Sequence, residues 1–236
     1  MIKEAQQYLK RLGYNLGPSG VDGVMGKYTR DAIKSFQYAQ GLDIKWPGTL
    51  GPKTLQALRR ASTGDSSTIV ENALPWMEQA KALWGTSEIP GKKSNPVIMG
   101  WAKKLGGWIA SYFTDDDIPW CGLFVGHVMS QVLPDEPLPS NPLGAREWAK
   151  YGETTQPTYG AIMVFSRAGG GHVGWYVGED KEAYHVLGGN QSNTVKVARV
   201  GKDRFLEARW PKRYAKPVWS RPITLSASYK LSVNEA

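Results

Sequence analysis

The sequence predicts an α+β protein, helices in its first part and a short antiparallel meander in its second. Three observations lead there. Up to Trp148 the apolar residues recur at helical spacing, and from Ala161 they run in short segments bounded by turns. Near the start, one glycine turn feeding a helix occurs twice. Helices first and strands second is the α+β order.

Ile2, Ala5, Leu9 and Leu12 fall on one face of a helix that Gly13 stops. A loop rich in Gly, Pro and Asn runs on to Gly20. Gly23 and Gly26 then make a tight turn, and Thr29 is expected to cap or support the next helix. That helix carries Ala32, Ile33, Phe36 and Ala39 on one face and ends near Gly41. The pattern Gly23-x-x-Gly26-x-x-Thr29-x-x-Ala32-Ile33 returns as Gly48-x-x-Gly51-x-x-Thr54-x-x-Ala57-Leu58. Such an echo indicates a small three-helix unit with a pseudo-repeat, occupying 1–62. Ala61 to Thr68 is small and polar and reads as part of a linker over 63–73. A flexible tether there would raise the effective concentration of the second unit around the anchored first one.

The second unit opens with a helix near Leu74–Trp84, on which Leu74, Met77, Ala80, Leu83 and Trp84 share a face. Asn95-Pro96 starts another over Val97–Leu105, with Pro at a suitable first position. Asp115-Asp116-Asp117-Ile118-Pro119-Trp120-Cys121 leads into Leu123, Phe124, Val125, Val128, Met129 and Val132, a largely buried helix that stops before Pro134. Ser140-Asn141-Pro142 begins a short helix containing Trp148. Strands are expected at Ala161–Phe165, Gly171–Val177, Ala183–Leu187 and Thr194–Ala198, with a hairpin turn at Gly178-Glu179-Asp180.

One cysteine among 236 residues excludes an intramolecular disulfide framework and a Cys-rich zinc site. Three histidines, His127, His172 and His185, leave little for a metal centre, and no ligand motif is present. No cofactor and no metal are expected. The net charge of +8 suits polyanionic partners, with Lys and Arg densest between Lys202 and Arg221. No nucleic-acid-binding module accompanies that charge, so nucleic acid is not the expected partner. No apolar run approaches the ~20 residues that span a bilayer, so no stable membrane insertion is expected.

Cys121 opens an apolar helix just after Pro119. By default a lone cysteine is a small buried hydrophobe. At a helix N-terminus, however, the dipole and free N–H groups favour thiolate, lowering a thiol pKa from about 8.5 toward ~3.5–7.5. The same N–H groups can hold an oxyanion. A Cys-dependent site also needs a histidine to carry the proton and a polar group to fix its ring. His172 follows three glycines at a strand start, with room for a close partner. His127, six residues after Cys121, points about 120° away around the helix and reads as structural. The third group is open between His185 and Asn190. If His172 faces Gly188, Asn190 shares its face, and if it faces Leu187, His185 does. Asp115, Asp116 and Asp117 could cap the Cys121 helix, bind a substrate amine, or simply be solvated. No carboxyl pair stands out as a glycosidase pair would.

Two resemblances extend this reading. Gln6…Leu9…Leu12-Gly13-Tyr14, Val21-Asp22-Gly23-x-x-Gly26-x-x-Thr29, Ala32-x-x-x-Phe36-Gln37 and Gly51-Pro52-x-Thr54-Leu55 resemble the small helical peptidoglycan-binding domain. That resemblance implies a wall anchor over 1–62 with no chemistry of its own. Trp120-Cys121-Gly-x-Phe-Val, Ile162-x-Val-Phe165-Ser-Arg, Gly171-His172-Val173-Gly174-x-Tyr176-Val177-Gly178 and Leu187-Gly-Gly-Asn190-Gln191-Ser are similar to the papain-like peptidoglycan hydrolases of the NlpC and CHAP superfamily. The branch is one common in phage lysis proteins.

The second resemblance implies a papain-like catalytic domain over 74–213, its Cys-bearing helix packed on an antiparallel sheet, with a tail over 214–236. It implies Cys121 as nucleophile, His172 as general base and Asn190 as favoured third member, His185 being the alternative. Trp120 departs from the polar or acidic neighbour seen beside the cysteine in relatives, which bears on the second oxyanion donor. The implied whole is a monomeric endolysin, acting on bacterial peptidoglycan as an endopeptidase or an N-acetylmuramoyl-L-alanine amidase. The opening residues lack the apolar core of a secretory signal, so the expectation is accumulation in the host cytoplasm until a holin-type partner permits release to the periplasm or wall. The competing expectation is a non-catalytic wall-binding or phage structural protein in which Cys121 is a core residue.

Overall fold

The computed structural model describes residues 1–40, 42, 44, 46–63, 74–91, 93–217, 220–225 and 231–232. Helices α1 (Ile2–Arg11), α2 (Lys27–Ala39) and α3 (Pro52–Thr63) form the first unit. Ala5, Leu9, Ile33, Phe36 and Leu58 close its small core. The expected stop at Gly41 lies outside the described residues, as do positions 64–73 of the expected linker 63–73, whose first residue, Thr63, belongs to α3.

Two buried glutamines explain the pseudo-repeat. Gln6 Oε1 accepts from Gly23 N at 2.7 Å, while its Nε2 donates to Val24 O at 3.0 Å and Thr29 Oγ1 at 3.0 Å. Gln37 Oε1 accepts from Gly48 N at 2.8 Å, and its Nε2 donates to Thr49 O at 2.8 Å and Thr54 Oγ1 at 2.8 Å. Each amide thus forms hydrogen bonds with the backbone of one glycine turn. Asp22 adds a third acceptor to the first clamp, taking Gln6 Nε2 at 2.8 Å. Thr29 therefore does not cap α2. Gly26 occupies the cap, and the Thr29 hydroxyl bonds across to Gln6 and Val24.

The second unit packs α4 (Pro75–Ala82), α5 (Pro96–Leu105), α6 (Gly107–Tyr112) and α7 (Cys121–Val132) against a sheet that has seven strands among the described residues. A 3-10 helix, Ala145–Lys150, carries the buried Trp148. The strands are β1 (Glu153–Thr154), β2 (Ile162–Arg167), β3 (Gly170–Glu179), β4 (Ala183–Gly188), β5 (Lys196–Gly201), β6 (Phe205–Trp210) and β7 (Leu231–Ser232). Their order is β1-β6-β2-β3-β4-β5-β7, antiparallel throughout except for the parallel pair β5–β7. The protein is thus a mixed helical and antiparallel-sheet molecule, as the patterning predicts. Strand β6, beyond the expected meander, inserts beside β2 and carries Trp210 into the core. Among the described residues no helix is long and apolar enough to cross a membrane.

Alternation sorts the two faces of the sheet. Ile162, Val164, Val173, Trp175 and Leu187 join the large core with Leu123, Phe124 and Val128 of α7. Met163, Phe165, Tyr176, Val186, Val200 and Ala208 form a separate cluster on the other face.

Candidate functional site

Helix α7 begins at Cys121, which is only 4% exposed. Its residues from Cys121 to Met129 are all buried, as in a helix sunk in a core. Gly122 follows because the chain returns there: a Cβ at that position would collide with the carbonyls of Pro142 and Leu143. Trp148 Nε1 donates to the same Pro142 carbonyl at 2.9 Å, holding the returning loop against the first turn.

Trp120, just before the helix, is fully buried, and its Nε1 donates to Glu88 Oε1 at 2.7 Å. Asn190 meets this pair from the sheet side. With its amide oxygen toward α7, it accepts from Trp120 N at 3.2 Å and donates to Glu88 Oε1 at 3.2 Å. Burial lifts the Glu88 carboxyl above its ordinary range, and Asp116, Asp117 and Asp115 push the same way, against the Trp120 hydrogen bond. The acidic trio does not cap α7. Asp116 is buried and accepts from Asn95 N at 2.8 Å and Ile89 N at 3.3 Å, fixing the entry to α5, while Asp115 accepts from Asp117 N at 3.0 Å.

His172 sits near the start of β3 with its side chain wholly enclosed. Its Nε2 lies 3.0 Å from Gln191 Oε1. The Gln191 Nε2 donates to Val186 O at 3.1 Å and Gly188 O at 3.3 Å, and also to Lys196 O, so the amide is fixed before it meets the imidazole. Gln191 is therefore the group that holds the ring. Asn190, the favoured third member, and His185, the alternative, are engaged elsewhere. His185 Nε2 pairs with Asp180 Oδ2 at 2.7 Å, and Arg199 Nε takes the same oxygen at 2.7 Å.

The register accounts for this arrangement. Trp175 lies opposite Leu187 and Tyr176 opposite Val186, so neither Leu187 nor Gly188 faces His172. A bulge between Tyr176 and Gly178 shifts the ladder. Beyond β4 the backbone turns out of the ladder at Asn190, whose φ is +53°, and this brings the next side chain, Gln191, under the ring.

His172 lies opposite Phe165, and the rings stack with centroids 6.5 Å apart. Cys121 belongs to the core of the α7 face. Both sit near the same end of the sheet. A Cβ on Gly188 would lie 3.3 Å from His172 Nε2, and one on Gly189 would lie 2.6 Å from the Trp120 ring. His127 is buried within α7 and stacks on Trp101 at 5.5 Å, the structural role its position implies.

Residues 1–58 match the family model of a peptidoglycan binding domain. The match covers α1, α2 and most of α3, and it assigns this end of the chain to cell-wall association. No curated protein and no solved structure is significantly similar to the chain.

Proposed function

We propose that the chain is a peptidoglycan hydrolase of the endolysin type, with a wall-binding first unit and a papain-like second unit. Cys121 is its nucleophile. The observation that carries this reading is a sole cysteine placed as the first residue of a core helix, where backbone N–H groups and the helix dipole converge. His172 takes the thiol proton and the thiolate attacks an amide carbonyl of the wall. N–H groups at the start of α7 hold the oxyanion, and the protonated imidazole delivers the proton to the leaving amine. Water then cleaves the acyl-enzyme, giving an endopeptidase or an N-acetylmuramoyl-L-alanine amidase. Gln191 fixes the ring, and Asn190 and Glu88 hold the entry to the helix. The charge of +8 favours the acidic wall. Action as a monomer, after release from the host cytoplasm by a holin-type partner, completes the reading.

A second reading is favoured by the burial of Cys121 among the residues of the large core. In it the chain binds the wall without cleaving it, and Cys121 is a core thiol. Clearing of a purified wall suspension separates the two. The hydrolase reading expects wild type to clear it and Cys121→Ser to leave it turbid. Equal behaviour of the two proteins overturns it. Mass spectrometry of released fragments identifies the bond.

A further inference from the structure

We propose that the cleft between the three-helix unit and the sheet unit binds a sugar ring of the wall polymer. The inference rests on the wall-binding reading and gives it a place. One wall of the cleft comes from the first unit, with Tyr14, Tyr28 and Asp31, and the other from the second, with Lys81, Trp84 and Tyr159. His185 and Leu187 of β4 also line it.

The chemistry of these walls is that of a sugar site. Pyranose rings offer flat C–H faces that lie on aromatic rings, and hydroxyl and acetamido groups that need polar partners at the edges. Four aromatic side chains from two units converge here, and such convergence of apolar faces with few polar groups marks ligand sites. The polar groups are held rather than free to swing. Lys81 Nζ donates to Tyr14 OH at 3.2 Å and to Glu78 Oε1 at 2.9 Å, and it lies 5.2 Å from the Tyr14 ring centroid and 5.8 Å from that of Tyr159. His185 is fixed by Asp180. The Trp84 ring lies against Gly13, 3.6 Å from where a Cβ would stand, yet keeps 37% of its surface exposed at the rim. A large aromatic left open beside a preformed cleft is available to stack. An anionic stem peptide would call for several cations, whereas Lys81 is already shared among Glu78 and two phenols.

The test titrates the full chain with a soluble tetramer of N-acetylglucosamine by calorimetry, alongside pelleting with insoluble peptidoglycan. The tetramer is expected to bind wild type. Trp84→Ala and Tyr28→Ala are each expected to weaken it about tenfold, with Trp84→Phe close to wild type. Tyr28 comes from the other unit and is half-buried, so it decides the matter should Trp84→Ala fail to fold. The cleft proposal falls, with wall binding intact, if the chain pellets with peptidoglycan but ignores the tetramer. It also falls if both variants bind the tetramer as wild type does, or if a free stem peptide binds in its place. Failure to pellet at all overturns the wall-binding reading itself.

Discussion

His172 and Gln191 meet at 3.0 Å with both side chains enclosed, and the glutamine amide is already committed on its nitrogen side to backbone carbonyls. The amide therefore has one orientation, which presents its oxygen to the ring and favours a proton on Nε2. In the hydrolase reading that leaves Nδ1 as the basic nitrogen. Gln191→Ala is expected to cut wall turnover at least tenfold and to lower stability by about 1–3 kcal/mol, because buried carbonyls lose their donor. Asn190→Ala acts instead through the α7 entry, and His185→Ala leaves turnover within about twofold while lowering Tm. Turnover and thermal unfolding of the three variants check this, and a turnover loss confined to His185→Ala would sink it.

Gly122 tolerates no side chain, since the Pro142 and Leu143 carbonyls occupy the space of its Cβ. Gly122→Ala is expected to cost about 1–3 kcal/mol by forcing backbone apart, although alanine is the better helix former. Urea unfolding measures it. A gain in stability would mean that the loop yields freely.

The glutamine clamps give paired predictions. Gln6→Ala and Gln37→Ala each strand the N–H of a turn glycine, and each is expected to destabilise the first unit by about 2 kcal/mol and reduce pelleting with peptidoglycan. Gln56→Ala, on an exposed part of α3, should change neither. Hydrogen exchange at Gly23 and Gly48 reads each clamp separately.

His127 links stability to acid. Burial, aided by Lys104, lowers its pKa from 6.5 to about 4. The unfolded chain thus binds a proton in a range where the folded chain does not, so stability falls as pH drops from about 6.5 toward about 4. The full difference is on the order of 3 kcal/mol. His127→Phe is expected to flatten this part of the profile, in denaturant midpoints measured between those limits. An unchanged slope would assign the acid sensitivity to other groups.

Much of this architecture is legible in the sequence because its signals are local. The glycine turns, the Pro96 start and the apolar run after Cys121 are decided by neighbours in the chain, and the elements fall within a few residues of their expected places. The family match at 1–58 rests on the same repeated pattern. What escaped depends on partners far along the chain. The choice of Gln191 over Asn190 turns on one positive φ beyond a bulge, and no alternation pattern records either. The face occupied by His172 follows from its pairing with Phe165, a register fixed only when the whole sheet assembles. Strand β6 falls outside the expected meander because it pairs with β2, far earlier in the chain.

The segment 220–225 fastens to both units at once. Ile223 O and Leu225 N bond the backbone of Glu179, each at 2.7 Å, while Thr224 O accepts from Lys34 Nζ at 3.0 Å and the Arg221 guanidinium lies 4.7 Å from the Tyr38 ring centroid. A segment used this way works as a buckle. First unit and sheet are thereby tied together, so in the hydrolase reading the place where the first unit grips determines which stretch of the wall the second one faces.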